Sequence, residues 1–203
     1  MLQSRVELRR QPVTFTLVMP VLPVNLKRHF TALGFMVLLS GMAMAQDRTA
    51  ELLENLRMAG PVDAPRIARD IEREWSRSGS AAMDMLLIRG REALEEGNYP
   101  LAIEHFTALT DHAPDFAEGY HARAEAFFRR DLYGPAMDDL ERTLALNPDH
   151  YDAIFGLAVL MQEFGDLRRA SVLYRQVLAI HPHHENAQSA LSRLKRDGIG
   201  REI

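Results

Sequence analysis

Residues Ala117–His150 read AEGYHARAEAFFRRDLYGPAMDDLERTLALNPDH, and this 34-residue stretch decides the fold. A copy of the same length precedes it at Met83–Phe116, and another follows at Tyr151–His184. Aligned without gaps, the copies share a small residue at position 8, alanine at 20, a large apolar residue at 24 and proline at 32. A stacked array is predicted, because each unit has an apolar face that only a neighbour can bury. The shared residues are Gly90, Ala124 and Ala158; Ala102, Ala136 and Ala170; Phe106, Leu140 and Tyr174; and Pro114, Pro148 and Pro182.

Each copy is predicted to form two antiparallel helices joined by a short turn. In the first copy, apolar residues recur at helical spacing, Gly97 ends the first helix and Asn98 can cap the second. Gly90 and Ala102 mark points of close approach, because larger side chains there would hold the two helices apart. The middle copy has Asp131 where the turn glycine should be, so its second helix is expected to begin one residue later.

These positions resemble the tetratricopeptide repeat (TPR) family. The resemblance implies an all-α fold, a right-handed superhelix of antiparallel helix pairs with capping helices at both ends. An unbroken period of 34 residues, held three times, is the feature that carries it. The three units are residues 83–116, 117–150 and 151–184.

The flanking segments are predicted to close the array. Residues 46–82 hold a degenerate helical pair in register with the repeats, expected at Asp47–Ala59 and from Ala64 to about Arg77. We expect this pair to cover the first repeat. Residues 185–203 are expected to form an amphipathic capping helix and a short tail. Repeat arrays need such atypical ends because their terminal faces have no neighbour.

The family resemblance also implies a concave groove lined by the first helix of each repeat. The side chains expected there form an apolar strip with an acidic edge, to which Glu118 and Asp152 contribute. A water-facing groove has no structural need for two phenylalanines, so the strip predicts a binding site for a peptide or helix. The alternative is that the N-terminal helices or a second copy of the chain cover it. The predicted partner-binding residues are Leu87, Arg91, Leu94, His121, Glu125, Phe128, Arg129, Phe155, Val159 and Gln162.

One subgroup of the family grips a C-terminal carboxylate with lysine, asparagine and arginine side chains. The matching positions here hold Leu87, Arg91, Ala122, Asp152 and Gly156, of which only the arginine is suited to that task. The chaperone-tail specificity of that subgroup is therefore not expected. The acidic edge favours a basic or apolar partner segment, because complementary charges assist encounter.

Residues 1–45 are predicted to form an n-region and a secretory signal peptide. The basic segment Lys27–His29 precedes an apolar run at Phe30–Leu39, and Ala43 and Ala45 precede Gln46, where cleavage is expected. The run is shorter than the ~20 residues of a spanning helix, and an uncleaved anchor is the alternative.

The n-region is long, which favours a true start at Met19. Export predicts a periplasmic or secreted protein that contacts the membrane only through the signal before cleavage.

Composition narrows the classes of partner and chemistry. The chain has 203 residues and a net charge of -4. Residues 1–45 carry about +4 of this balance, so the remainder is strongly acidic and nucleic acid is not an expected partner. The chain has no cysteine, which excludes disulfides, thiol catalysis and a lipid-modified cysteine.

No sequence motif indicates catalysis. HExxH, GxSxG and a phosphate-binding glycine loop are missing from the sequence, and His105, His112, His121 and His150 are scattered along the repeats. The run at His181–Glu185 is expected to be a polar turn between helices; a metal site or a small hydrolase is the alternative. No enzyme, cofactor or metal is predicted. The expected function is an exported adaptor or scaffold that binds a protein segment in an envelope complex; the alternative is a self-associating structural protein.

Overall fold

A computed structural model of the protein describes residues 48–196 and residue 198. This part of the chain is made of helices and contains no strand. None of its helices is long and apolar enough to cross a membrane. The predicted signal peptide, with Ala43, Ala45 and Gln46, lies outside the described residues. The helices are α1 (48–58), α2 (Ala64–Trp75), α3 (Ala81–Glu95), α4 (Tyr99–His112), α5 (Ala117–Phe128), α6 (Tyr133–Leu146), α7 (Tyr151–Glu163), α8 (Leu167–Ile180) and α9 (Glu185–Arg196).

Helices α3 to α8 pack as three consecutive pairs, α3 with α4, α5 with α6 and α7 with α8. Each pair stacks on the next, and α9 closes the array against α8. The apolar face of α9 is buried and its remaining side chains are polar, as expected for a capping helix. The all-α array of antiparallel helix pairs predicted from the sequence is confirmed.

Small residues set the distance between the two helices of a pair. Ala102, Ala136 and Ala170 are fully buried. A Cβ atom added to Gly90 would overlap the ring of Phe106 and lie only 2.6 Å from its Cδ1 atom. The helices of the first pair therefore pack at a distance that only glycine permits on α3.

The turn within each pair uses one residue in the left-handed region. Gly97 and Gly165 have φ values of 75° and 78°, and Asp131 takes the same role with φ 56°. Because the aspartate adopts the glycine conformation, α6 begins at Tyr133, in register with α4 and α8. The prediction of a later start for this helix is wrong. Tyr133 donates its hydroxyl hydrogen to Asp131 Oδ1 at 2.8 Å and so stabilises the strained turn.

The N-terminal hairpin, α1 with α2, does not stack on the first repeat. Trp75 at the end of α2 stacks on His150 with 4.3 Å between ring centroids, and it lies 5.1 Å from the Tyr151 ring. Tyr151 also donates its hydroxyl hydrogen to the Ala68 carbonyl at 3.5 Å. These contacts hold α2 against the turn before α7. The capping pair is present, but its expected place over the first repeat is wrong.

Candidate functional site

Helices α3, α5 and α7 line a concave groove, and α2 lies across one half of it. Between α2 and the groove wall is a cavity of about 650 Å³, which we call the N-terminal cavity. Charged side chains dominate its lining. They come from α2 as well as from the groove, so a segment of the chain itself forms one wall. The lining includes Arg66, Asp70, Glu72, Arg73, Trp75, Arg91, Leu94, Glu118, His121, Glu125, His150 and Asp152.

The other half of the groove is open and has an apolar floor. This C-terminal cavity has a volume of about 550 Å³. Phe128, Phe155 and Val159 lie on its floor and are each half-buried. At its rim Arg129 pairs with Glu125 at 3.2 Å. His121, Glu125 and Asp152 line both cavities, so the two halves form one continuous groove.

Most predicted partner-binding residues lie in this groove. Arg91 and Leu94 line the N-terminal cavity. Two predictions are wrong. Leu87 is buried in the core of the first pair, and Gln162 lines neither cavity but accepts the Tyr174 hydroxyl hydrogen at 3.2 Å. Six of the predicted residues line the C-terminal cavity: His121, Glu125, Phe128, Arg129, Phe155 and Val159.

A buried carboxylate joins the walls of the N-terminal cavity. Glu118 Oε1 accepts a hydrogen bond from Arg91 Nη2 at 2.5 Å and lies 3.4 Å from His121 Nδ1. Its Oε2 accepts from His150 Nε2 at 2.9 Å. We call these four residues the Glu118 network. Glu118 is one of the acidic residues expected along the groove, but its side chain is buried and is therefore not part of an open acidic edge.

The network contains residue types that can bind a metal ion, but its hydrogen bonds indicate that it stabilises the fold instead. One ligand atom each from Glu118, His121 and His150 lies within 4.8 Å of the others. However, His150 Nδ1 caps α7 by accepting the Ala153 N–H at 3.2 Å. Its Nε2 must therefore carry the ring hydrogen, which it donates to the carboxylate. In this arrangement His150 Nε2 has no lone pair for a metal ion.

Histidines that are far apart in the sequence meet here. The His121 and His150 rings lie 4.4 Å apart, although one is in α5 and the other precedes α7. The expectation that these histidines remain scattered is wrong. The spacing of Glu118 and His121, one helical turn apart, was the available signal. The run at His181–Glu185 does form the turn into α9, where His184 Nδ1 accepts the Ala187 N–H at 3.2 Å.

Charge and burial set the protonation of the network. Burial opposes protonation of His121, but the Glu118 carboxylate and its hydrogen bond, helped by Asp152, raise the pKa of His121 to about 8. Burial would raise the pKa of Glu118, yet His121 and His150 hold it well below its usual value. Burial and the neighbouring His121 lower the pKa of His150. At neutral pH an anionic Glu118 therefore lies between a cationic His121 and a neutral His150.

We expect the stability of the protein to fall on both sides of about pH 6.5. The folded state raises the pKa of His121 from 6.5 to about 8, so this stabilisation is complete below pH 6.5 and lost as the pH rises through 8. It amounts to at most about 2 kcal/mol. The pKa of His150 is lowered, so this residue costs stability as the pH falls below 6.5.

Thermal unfolding followed across this pH range tests the assignment. His121→Gln should lose the decline above pH 6.5 while the decline on the acid side remains. An equal alkaline decline in the variant and the wild type would show that His121 is not its source.

Comparisons with known proteins place the chain among helical repeat proteins. A tetratricopeptide repeat family model matches residues 132–194. A TPR repeat-containing protein of Rhizobium etli is 30% identical over 150 residues, which cover 73% of this chain and 74% of that protein.

Solved structures share the fold. The second TPR domain of human RPAP3, in complex with HSP70 peptide SGPTIEEVD, is 25% identical with a TM-score of 0.51, and the match covers 56% of this chain and 98% of that one. The first TPR of Spaghetti (RPAP3), bound to HSP90 peptide SRMEEVD, is 24% identical with a TM-score of 0.55, over 57% of this chain and 91% of that one. The latter similarity concerns the fold alone.

Proposed function

The chain belongs to the tetratricopeptide repeat family, and from this premise we propose that it is an exported adaptor that holds a partner protein's segment in its C-terminal cavity. The open apolar floor of the groove carries this proposal. Phe128, Phe155 and Val159 are only half-buried, although they lie beside a well-packed core. Exposed apolar surface of this kind marks binding sites, and an extended or helical segment suits a groove between helices.

The partner segment is expected to be apolar with a basic or neutral flank. The cavity floor offers space for apolar side chains, and the Asp152 carboxylate lies where the two cavities join. The RPAP3 domains bind peptides that end in EEVD. In this chain Arg91, the residue best placed to hold such a tail, is already bonded to Glu118 and Ser76. We therefore expect a peptide SGPTIEEVD not to compete with the partner.

The proposed place of action rests on the N-terminal sequence. A basic segment, the apolar run Phe30–Leu39 and the small residues Ala43 and Ala45 support export with cleavage before Gln46. An exported adaptor would work in the periplasm or outside the cell, within an envelope complex. Detection of the protein in a periplasmic fraction, shortened to a start at Gln46, would support this location.

A second candidate is a structural protein whose groove is filled by its own chain. The observation in its favour is that α2 already lies over the N-terminal cavity. In this alternative the C-terminal cavity would hold a segment of a second copy. Light scattering distinguishes the two, since a stable dimer that Phe155→Glu dissociates favours the self-associating protein.

We expect replacement of both Phe128 and Phe155 by glutamate to abolish partner capture. Glutamate side chains on the floor cannot make the apolar contacts of phenylalanine. Covering these charges with a partner would also cost desolvation free energy. The measurement is a crosslinked pull-down from envelope extract with the tagged full-length protein. The matched control is Phe164→Glu, because Phe164 is 55% exposed and lines neither cavity.

The pull-down has two distinguishable outcomes. A protein captured by the wild type and by Phe164→Glu, but lost with the double variant, supports the groove as its binding site. Capture of the same proteins by all three baits would show that binding occurs elsewhere on the molecule.

A further inference from the structure

The described residues leave the stacking surface of α3 uncovered. In the second and third repeats, positions 3 and 6 pack on the second helix of the preceding repeat. A Cβ atom on Gly119 would lie 3.2 Å from Leu109 Cγ, and one on Gly156 would lie 3.1 Å from Leu140. The other two of these positions, Ala122 and Ala153, are buried. These four positions are therefore the points where one repeat covers the next.

The same two positions of the first repeat hold large apolar residues that face solvent. Met85 is 48% exposed and Ile88 is 47% exposed. A capping surface that is meant to stay in water is expected to be polar, as it is on α9. An apolar surface at this place is instead suited to a preceding helix. We call Met85 and Ile88 the α3 stacking surface.

The N-terminal hairpin has the register and the connection length of a repeat that could precede the first one and cover α3. It lies in register with the repeats, with Ala68 falling 34 residues before Ala102. The connection from α2 to α3, residues 76–80, has five residues, and the equivalent connections at 113–116, 147–150 and 181–184 have four each. A connection of this length therefore allows α2 to stack on α3 as α4 stacks on α5. Gly79, with φ 81°, gives the connection a residue that can change direction at low cost.

In the structure the hairpin does not stack on α3 but lies over the groove. Arg91 donates to the Ser76 hydroxyl at 3.0 Å, and Arg57 pairs with Asp149 at 3.2 Å. Together with the Trp75 stack on His150, these contacts hold α2 over the N-terminal cavity. The buried residues Ile67 and Ile71 of α2 also share one apolar core with Tyr151, so the groove position is the more populated one.

We propose that the N-terminal hairpin has two docking positions, a groove position seen in the structure and a stacked position on Met85 and Ile88. In the stacked position α2 leaves the N-terminal cavity and completes the array as a capping repeat. The hairpin then controls how much of the groove a partner can enter. This last consequence depends on the proposed function, but the two positions themselves do not.

Two spin labels on the full-length protein test the proposal. The chain has no cysteine, so labels at Arg73→Cys on α2 and Arg168→Cys on α8 are unambiguous; both residues are exposed. Pulsed electron resonance gives the distribution of distances between them. The wild-type background should show mainly the groove distance. Trp75→Ala removes the stack on His150 and should add a second, narrow distance.

Variants of the α3 stacking surface test whether the second distance arises from the stacked position. Adding Met85→Glu and Ile88→Glu to the Trp75→Ala background should remove the second distance, because charges cannot be buried under α2. Adding Val172→Glu, on an exposed position of α8 that is 58% accessible, should leave it unchanged. The proposal is overturned if Trp75→Ala shows only the groove distance or only a broad distribution. It is also overturned if a second distance persists with both glutamates in place. The pull-down with Phe128 and Phe155 variants does not depend on any of these outcomes.

Discussion

Glu118→Ala is expected to lower the free energy of unfolding by about 3 kcal/mol. The carboxylate is buried and is bonded to Arg91, His121 and His150. Its removal leaves the Arg91 guanidinium without its carboxylate and the buried donor on His150 Nε2 without a partner. The effect should be visible in chemical denaturation at neutral pH.

Two further variants separate charge from packing. Glu125→Ala is the control, since Glu125 lies on the same helix in an exposed pair with Arg129 and should contribute about 0.5 kcal/mol or less. Glu118→Gln keeps an acceptor for His150 but loses the charge, so it should return the pKa of His121 towards its ordinary value. Equal losses from Glu118→Ala and Glu125→Ala would show that the network does not stabilise the fold.

Gly90→Ala is expected to lower the free energy of unfolding by about 2 kcal/mol. The new Cβ would overlap the Phe106 ring, which is fully buried, so a shift of the ring must displace its packed neighbours. Overpacking of this kind costs ~1–3 kcal/mol, more than the roughly 1 kcal/mol that alanine gains over glycine in a helix. Chemical denaturation of the variant measures the loss.

A double-mutant cycle with Phe106→Leu identifies the cause. Leucine lacks the outer ring atoms that the Cβ would meet, so the double variant should be more stable than the sum of the single losses predicts, by about 1 kcal/mol. Glu92→Ala is the control. Glu92 lies on the same helix with an exposed side chain, so this change should be nearly neutral. Strict additivity in the cycle would contradict a close approach at Gly90.

The helix pairs could be predicted from the sequence because their packing is local. Position 8 of one helix meets position 24 of its partner about half a repeat later, and Gly90 against Phe106 shows that contact. The conformation of Asp131 is not evident from the sequence, since an aspartate in the left-handed region is uncommon. The turn needs that conformation, and the neighbouring helices impose it.

The place of the N-terminal hairpin could not be predicted in the same way. Register shows which residue of the hairpin corresponds to which residue of a repeat, as with Ala68 and Ala102. It does not show which surface the hairpin covers. That choice depends on Trp75, which has both His150 and Tyr151 available for ring contacts.

The Glu118 network cannot be predicted from the sequence of a single repeat, for a related reason. Glu118 and His150 are 32 residues apart, almost one full repeat, so the superhelix brings them together. Such a contact depends on how neighbouring repeats stack, and the sequence pattern of a single helix does not show it. The groove positions of Phe128 and Phe155 can be predicted from the sequence, because they depend only on which face of each helix points to the groove.

We propose that a partner protein binds on the floor of the C-terminal cavity. The most direct test places a photo-crosslinking amino acid at position 159, on that floor, and at position 172, on the exposed face of α8, in living cells. We predict a crosslink to a partner protein from position 159, lost with Phe155→Glu, and none from position 172. A crosslink of equal strength from both positions, or one from position 159 that Phe155→Glu leaves intact, would contradict the claim.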